Sequence, residues 1–184
     1  MKKLVLLCFI IQSLAVSSQK LSYNFKSISG SQIKNAKLIV TPSSEPLRYQ
    51  NTNVVIQKFD LLNGTDNLVS FFLYKFKGNL YILDGTSTKL NHTKDQILFS
   101  LPHQESYNIN VPGFMEKSAL VLLNFTTING VSFYKYDVMS SSDDFKILEL
   151  IFDKDLDISE LKFSHNGSTG SFTKANITIR LRQR

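Results

Sequence analysis

An alternation of apolar and polar residues near the carboxyl end of the chain constrains the fold more than any other feature. Over the predicted last strand, Phe172–Arg182, apolar and polar side chains take turns: Ala175, Ile177, Ile179 and Leu181 alternate with Asn176, Thr178, Arg180 and Arg182. A half-buried β-strand requires this period of two. Three stretches before it predict further strands of an antiparallel meander: Val131–Met139, Phe145–Phe152 and Leu161–Ser164. The sequence therefore predicts an all-β antiparallel domain.

Short turn signals separate many of the predicted strands. An Asn-Gly pair accepts positive φ at both central positions of a type I′ turn, so we expect hairpins at Asn63-Gly64 and Asn129-Gly130. Gly78-Asn79 and Asp84-Gly85 predict two more tight turns. Between these signals, Leu68–Lys77 carries apolar residues on both faces. That pattern predicts a central strand that is covered on both sides.

The rest of the chain is also strand-like. Further strands are predicted at Leu21–Phe25, Ala36–Thr41, Asn53–Leu62, Leu80–Leu83, Gln96–Leu101, Ser106–Val111 and Ser118–Thr126. The least strand-like region, Pro102–Lys117, is where we place a short helix or flap, and we expect at most one or two short helices in all. Two architectures fit this pattern: a half-open barrel and a two-sheet sandwich.

The amino terminus has the pattern of a targeting signal. Lys2 and Lys3 precede the apolar run Leu4–Ile11, and small residues follow at Ala15–Ser18. The run is too short to span a bilayer. We expect residues 1–18 to be a signal peptide, cleaved near Ser18, and residues 19–184 to form a single exported β domain without a transmembrane segment.

Cysteine usage and charge narrow the compartment and the partners. Cys8, the only cysteine, lies in the apolar run, so we expect a mature chain without disulfides. Small secreted eukaryotic domains more often carry disulfides, which favours a periplasmic or secreted bacterial protein. The formal net charge is +6, and it falls to +4 without Lys2 and Lys3. Such an excess favours weak attraction to anionic surfaces. Without an aromatic-basic motif in an exported chain, we predict no nucleic-acid partner.

Three parts of the chain resemble the periplasmic lipoprotein-carrier family of half-barrels. The run Lys77–Leu90 is similar to a recurring hairpin of that family, with an aromatic strand and a polar turn. The spacing of the strands in Tyr134–Ser164, and the Pro and Arg of Pro46–Tyr49, are similar too. The resemblance implies a half-open antiparallel barrel that holds acyl chains on its concave face, and it implies that Arg48 lies near the mouth of that cavity.

Basic residues on one side of the predicted last strand are candidates for ligand binding. Lys174, Arg180, Arg182 and Arg184 occupy even positions, on the side opposite Ile177 and Ile179. Guanidinium groups pair bidentately with phosphate, so these residues, with Arg48, could contact lipid headgroups or an envelope glycolipid. The alternative interpretation, which we prefer, is the solvated face of an edge strand that is charged to prevent pairing with another chain.

Metal, cofactor and catalytic signals are weak. Asp153, Asp155 and Asp157 have a spacing that could suit Ca²⁺, but Ser164 stands where a calcium loop requires Glu. A solvated turn is the preferred interpretation. The histidines are isolated, and the adjacent acids Asp143-Asp144 would point apart rather than face each other across a cleft. We therefore predict no metal, no cofactor and no enzymatic activity.

Two functions remain open for an exported, non-enzymatic chain of this kind. One is an envelope protein that binds or carries a lipid or another apolar ligand in a half-barrel, with a lipid or envelope component as partner. The other is a secreted β-sandwich that acts in adhesion or assembly without a small-molecule ligand. The first needs an uncovered apolar surface, whereas in the second the apolar residues form a closed core.

Overall fold

The computed structural model describes residues 21–33, 35–84, 90, 95–112, 114–140 and 144–175, and every regular element within these ranges is a β-strand. The strands are β1 (Tyr23–Ser29), β2 (Ala36–Pro42), β3 (Leu47–Tyr49), β4 (Thr52–Val54), β5 (Ile56–Asn63), β6 (Asp66–Phe76), β7 (Asn79–Ile82), β8 (Gln96–Ser100), β9 (Ser106–Val111), β10 (Met115–Ile128), β11 (Val131–Met139), β12 (Phe145–Asp153), β13 (Ile158–His165) and β14 (Ser168–Lys174). The predicted all-β fold class is confirmed.

The strands form two large antiparallel sheets and one small hairpin. The seven-stranded sheet has the order β1-β14-β13-β12-β11-β10-β9, the five-stranded sheet has the order β2-β5-β6-β7-β8, and β3 pairs with β4. Neither large sheet closes into a barrel. The edge strands β1 and β2 lie close together, as do β8 and β9, so each edge of one sheet approaches an edge of the other.

Aromatic side chains from the two sheets meet in a shared core. Phe99 of β8 stacks on Phe152 of β12 with ring centroids 4.6 Å apart, and Tyr23 of β1 contacts Phe59 of β5 edge to face. Both pairs join opposite sheets. Each large side chain that is fully buried in such a core contributes roughly 1.5–3 kcal/mol. The sheets therefore cover each other as a sandwich.

The prediction of a central strand covered on both faces is confirmed for β6. This strand pairs with β5 on one side and with β7 on the other. Phe71 and Leu73 point into the core between the sheets. Tyr74 and Phe76, on the opposite face, join a second apolar cluster with Val54 of the small hairpin. The β3–β4 hairpin thus closes the outer face of the five-stranded sheet.

One tight turn lies where the sequence predicted it, and two others lie one residue away from their predicted positions. Asn129 and Gly130 both have positive φ, 50° and 76°, as the prediction required. Asn63 instead pairs with Asp66, so Gly64 is the first central residue of a turn of type II′. The next turn is centred on Lys77-Gly78, one residue earlier than predicted, because Asn79 already pairs in the sheet.

The predicted strand Ser106–Val111 is confirmed as β9, whereas the short helix or flap placed within Pro102–Lys117 is a wrong prediction for the described residues. Pro102–Lys117 contains β9 and the start of β10, and the described part of the chain has no helix. The last hairpin turns at Asn166-Gly167, and β14 begins at Ser168. The sequence predicted this strand only from Phe172, because glycine is unfavourable in strands and Gly170 precedes that residue. A Cβ at Gly170 would lie 2.7 Å from the Phe25 ring, so the close packing requires glycine.

Several predictions lie outside the described residues. These are the signal peptide over residues 1–18, Gly85 of one predicted turn, and the predicted last strand beyond Ala175.

Candidate interaction site

The strand β10 is much longer than the neighbour that covers its edge. It has 14 residues, whereas β9 has 6. Pairing with β9 ends where Val121 faces Ser106, and one more backbone bond follows, from the Leu122 N–H to the Glu105 carbonyl at 2.8 Å. Beyond that point, the described chain pairs β10 only with β11. We call the uncovered segment, Leu123–Ile128, the open edge.

The open edge has the composition of a strand that pairs readily. Its six residues, LNFTTI, include no charge, no proline and no glycine. Leu123 is 54% exposed and Phe125 is 48% exposed. Proteins usually protect such edges with lysine, proline or a bulge. Here only a bulge between Leu122 and Asn124 does so, which leaves most of the segment available to another strand.

The exposed ring of Phe125 packs against aromatic residues that connect it to the core of the sandwich. Phe125 lies opposite Tyr134 of β11, with ring centroids 5.1 Å apart, and its ring is nearly parallel to that of His103 at 6.1 Å. Tyr134 in turn contacts Phe99 at 5.2 Å. Phe125 therefore lies on the inner face of the seven-stranded sheet, where the five-stranded sheet no longer covers it.

A second prominent feature is a group of ion pairs that joins the two sheets. Lys174 Nζ lies 2.8 Å from Asp157 Oδ2 and 3.1 Å from Asp153 Oδ2. Lys75 reaches across from β6, and its Nζ lies 2.5 Å from Asp157 Oδ1. Two cations and two anions balance each other in this group, which we call the inter-sheet ion cluster. Its charge balance makes it a structural link rather than a binding site for a charged ligand.

The inter-sheet ion cluster shifts the pKa values of its members. Burial raises the pKa of Asp157, but hydrogen bonds from Lys174 and Lys75 lower it by more, so its pKa lies below the ordinary value. Burial lowers the pKa of Lys174, but Asp157 and Asp153 raise it by more, so its pKa lies above the ordinary value. Both groups therefore remain charged over a wider pH range than in an unfolded chain.

The prediction of a solvated turn at Asp153–Asp157 is wrong for its two ends. Asp153 is only 2% exposed. Its Oδ1 accepts the N–H groups of Asp155 and Asp157, both at 3.0 Å, and its Oδ2 accepts the Ser159 hydroxyl. Of the three aspartates, only Asp155 points to solvent. Over the described ranges, no group of three or more His, Cys, Asp or Glu side chains has the arrangement of a metal site.

The structure separates the predicted ligand-binding residues. The side chain of Lys174 is 16% exposed and holds two carboxylates, and β14 lies between β1 and β13 rather than at an edge. The expectation of a solvated edge strand is therefore wrong at this residue. Arg48 is exposed on the β3–β4 hairpin, and the five-stranded sheet lies between it and Lys174. Arg180 and Arg182 lie outside the described residues, and ligand binding by the set stays a prediction.

The sandwich also has an apolar groove along one side. It lies between the edge strands β1 and β2 and has a volume of about 380 Å³. Leu21, Tyr23 and Phe25 line one wall, and Leu38 and Val40 line the other. The groove is open to solvent, and its size is in the range of small-molecule sites, roughly 300–1,000 Å³.

Two neighbouring carboxyl groups on the outer face of the seven-stranded sheet titrate in opposite directions. Burial raises the pKa of Glu149, but hydrogen bonds from Lys135 and Lys162 lower it by more, to below its ordinary value. Burial, followed by the charge of Glu149, raises the pKa of Glu160. Acid–base catalysis uses such pairs, but the lysine contacts of Glu149 and the burial of Glu160 beside it account for both shifts without a catalytic role. The prediction that the chain is not an enzyme remains a prediction.

Comparison with known proteins yields no relative. No protein-family model, no curated protein and no solved structure matches this chain. The resemblance to lipoprotein carriers therefore stays an expectation. Among the described residues, no helix is long and apolar enough to cross a bilayer.

The open edge was not among the predicted sites, although the sequence contains a signal for it. The predicted strand Ser106–Val111 is followed by Pro112-Gly113 and then by the longer apolar strand Ser118–Thr126. A short strand cannot cover all of a longer hairpin partner. The difference in length predicts an uncovered end, but it does not show whether another element covers it.

Proposed function

We propose that this chain is an exported, non-enzymatic β-sandwich that acts in adhesion or assembly, and that the open edge of β10 is its contact surface. The observation that supports this most directly is an exposed, uncharged strand edge that carries Leu123 and Phe125. Strand edges of this kind bind other chains by β-augmentation, in which main-chain hydrogen bonds supply affinity and alternate side chains supply specificity.

The packing between the sheets favours this proposal over a carrier with a large internal cavity. A half-barrel carrier leaves its concave apolar face uncovered for acyl chains. Here Phe99 and Phe152 stack across the two sheets, and Phe71 of β6 stacks on Phe114 at 4.4 Å. The apolar residues on both faces of β6 are buried in the two apolar clusters rather than left uncovered for a ligand.

A smaller apolar ligand is a second candidate function, supported by the groove between β1 and β2. Its lining is largely apolar and its volume of about 380 Å³ would hold part of an acyl chain. Such a ligand would lie along the side of the sandwich rather than inside it, so binding would leave the core unchanged.

Site-specific photo-cross-linking in the producing cells tests the proposal. A photoreactive phenylalanine analogue would be placed at position 125 in the open edge, with position 47 as control. Leu47 is also an exposed apolar residue, 39% exposed, but it lies on the β3–β4 hairpin. We expect a discrete adduct of higher mass from position 125 and none from position 47.

Native mass spectrometry of the purified protein separates the two candidates. The interaction function predicts no bound lipid and no uptake of a fluorescent acyl probe. A stoichiometric lipid together with no macromolecular adduct at position 125 would refute the proposal and favour the apolar ligand.

A further inference from the structure

We infer that the partner of the open edge is a second copy of this chain, paired antiparallel with β10 about a two-fold axis. The inference depends on the proposed function, because it uses the same contact surface, and it goes further by naming the partner. The product is a symmetric dimer in which two seven-stranded sheets join through Leu123–Ile128 of each copy.

The absence of charge from the open edge is the first argument for a second copy. The chain carries a formal net charge of +6, or +4 without Lys2 and Lys3, so two copies repel each other at a distance. This repulsion opposes association least where the contact surface itself carries no charge. The open edge offers six uncharged residues, and its neighbour Lys135 on β11 is already paired with Glu149 at 2.7 Å.

The other sheet edges are less suitable for self-pairing. The edge strands β1 and β2 carry Lys26 and Lys37. Between β8 and β9, the side-chain amide of Gln96 replaces a strand neighbour: its Nε2 donates to the Asn110 carbonyl at 2.9 Å, and its Oε1 accepts the Asn110 N–H at 2.7 Å. That edge is therefore partly closed within the molecule.

Symmetry is the second argument. A strand that pairs antiparallel with its own copy presents the same donors and acceptors in reverse order, so every unpaired N–H and C=O can meet a partner. A two-fold axis perpendicular to the sheet keeps the inner faces on the same side. The two Phe125 rings then lie on one continuous apolar surface next to His103 and Tyr134 of each copy.

The size of the contact sets its strength. A six-residue edge is small compared with the roughly 1,200–2,000 Å² of a stable interface, so we expect a weak, concentration-dependent dimer. Added salt should strengthen it, because salt screens the repulsion between the two copies while the contact itself has no charges. The Debye length falls from about 10 Å at 0.1 M salt to about 3 Å at 1 M.

Sedimentation equilibrium of the mature protein tests the inference with paired charge variants. Leu123→Lys and Leu123→Glu place a charge on the open edge, whereas Leu47→Lys and Leu47→Glu make the same changes of net charge on the distant hairpin. Both variants at position 123 should weaken dimerisation about tenfold or more, because each copy would have to bury a charge of either sign against the uncharged far end of its partner's open edge. Both variants at position 47 should change it by less than about threefold.

The two signs of charge distinguish a local effect from a global one. If net charge alone controlled association, Leu123→Glu would strengthen the dimer, and that result would refute the inference. A wild-type protein that stays monomeric at high concentration and 1 M salt would refute it as well. Unchanged melting temperatures would show that the variants are folded.

The cross-linked product at position 125 separates this inference from the proposed function. An adduct with twice the mass of the chain supports both. An adduct with a different macromolecule supports the proposed function and refutes the second copy, and no adduct refutes both.

Discussion

Replacing Asp153 with alanine tests the inter-sheet ion cluster most directly. The carboxylate is almost fully buried and accepts four hydrogen bonds, from the N–H groups of Asp155 and Asp157, the Ser159 hydroxyl and the Lys174 ammonium. Alanine has no acceptor, so all four donors lose this partner at once. Ser159 is itself fully buried, and little water can replace the carboxylate there.

The expected cost follows from these bonds. A buried donor left without a partner costs roughly 1–3 kcal/mol, and removing one member of a buried ion pair costs roughly 3–5 kcal/mol. Lys174 keeps Asp157 as a partner, so the ion-pair loss is incomplete. We expect Asp153→Ala to lower the free energy of unfolding by about 3–5 kcal/mol, a large share of the roughly 5–15 kcal/mol typical of a domain.

Urea unfolding followed by circular dichroism would measure this change, with Asp155→Ala as a matched control. Asp155 is two residues away, but its carboxylate is 63% exposed and pairs only with the exposed Lys154. Its loss should cost less than about 0.5 kcal/mol. If Asp153→Ala unfolds within about 1 kcal/mol of this control, the bonds to Asp153 do not stabilise the fold as argued.

Two further predictions concern a turn and the effect of pH. Gly130→Val places a β-branched side chain at a φ of 76° and should cost at least about 1–2 kcal/mol, so an unchanged melting temperature would contradict the type I′ turn. The pKa of Asp157 lies below its ordinary value of 3.8, so its stabilising contribution is complete above that pH and disappears as the pH falls through the lower folded-state pKa. Asp157→Asn should flatten the dependence of stability on pH below about pH 4, and an unchanged acid profile would show that another group controls it.

Local sequence patterns predicted the strands well but placed turns and faces less accurately. The Asn129-Gly130 hairpin and the central strand β6 follow from turn chemistry and from apolar residues on both faces. At Asn63-Gly64, the strands pair as expected, but the pairing of Asn63 with Asp66 moves the turn by one residue. Which residue of a turn signal pairs depends on the register of the whole hairpin, and a dipeptide does not contain that information.

The misplacement of Lys174 shows the same limit at the level of side-chain direction. The apolar residues after Ala175 suggested that even positions point to solvent. In β14, Phe172 points into the core, so Lys174 lies on the same side and meets Asp153 and Asp157. A period of two specifies that two faces exist, but not which of them is covered.

The sequence alone determined that this chain forms antiparallel strands, because alternation and turn chemistry act over a few neighbouring residues. Only the tertiary structure decided which apolar residues became core and which stayed exposed. Lys75 pairs with Asp157 from the opposite sheet. The open edge exists because β9 is shorter than β10 and its pairing stops at Val121. Both depend on contacts between segments far apart in the chain, and such contacts are determined by how the two sheets pack rather than by local pattern.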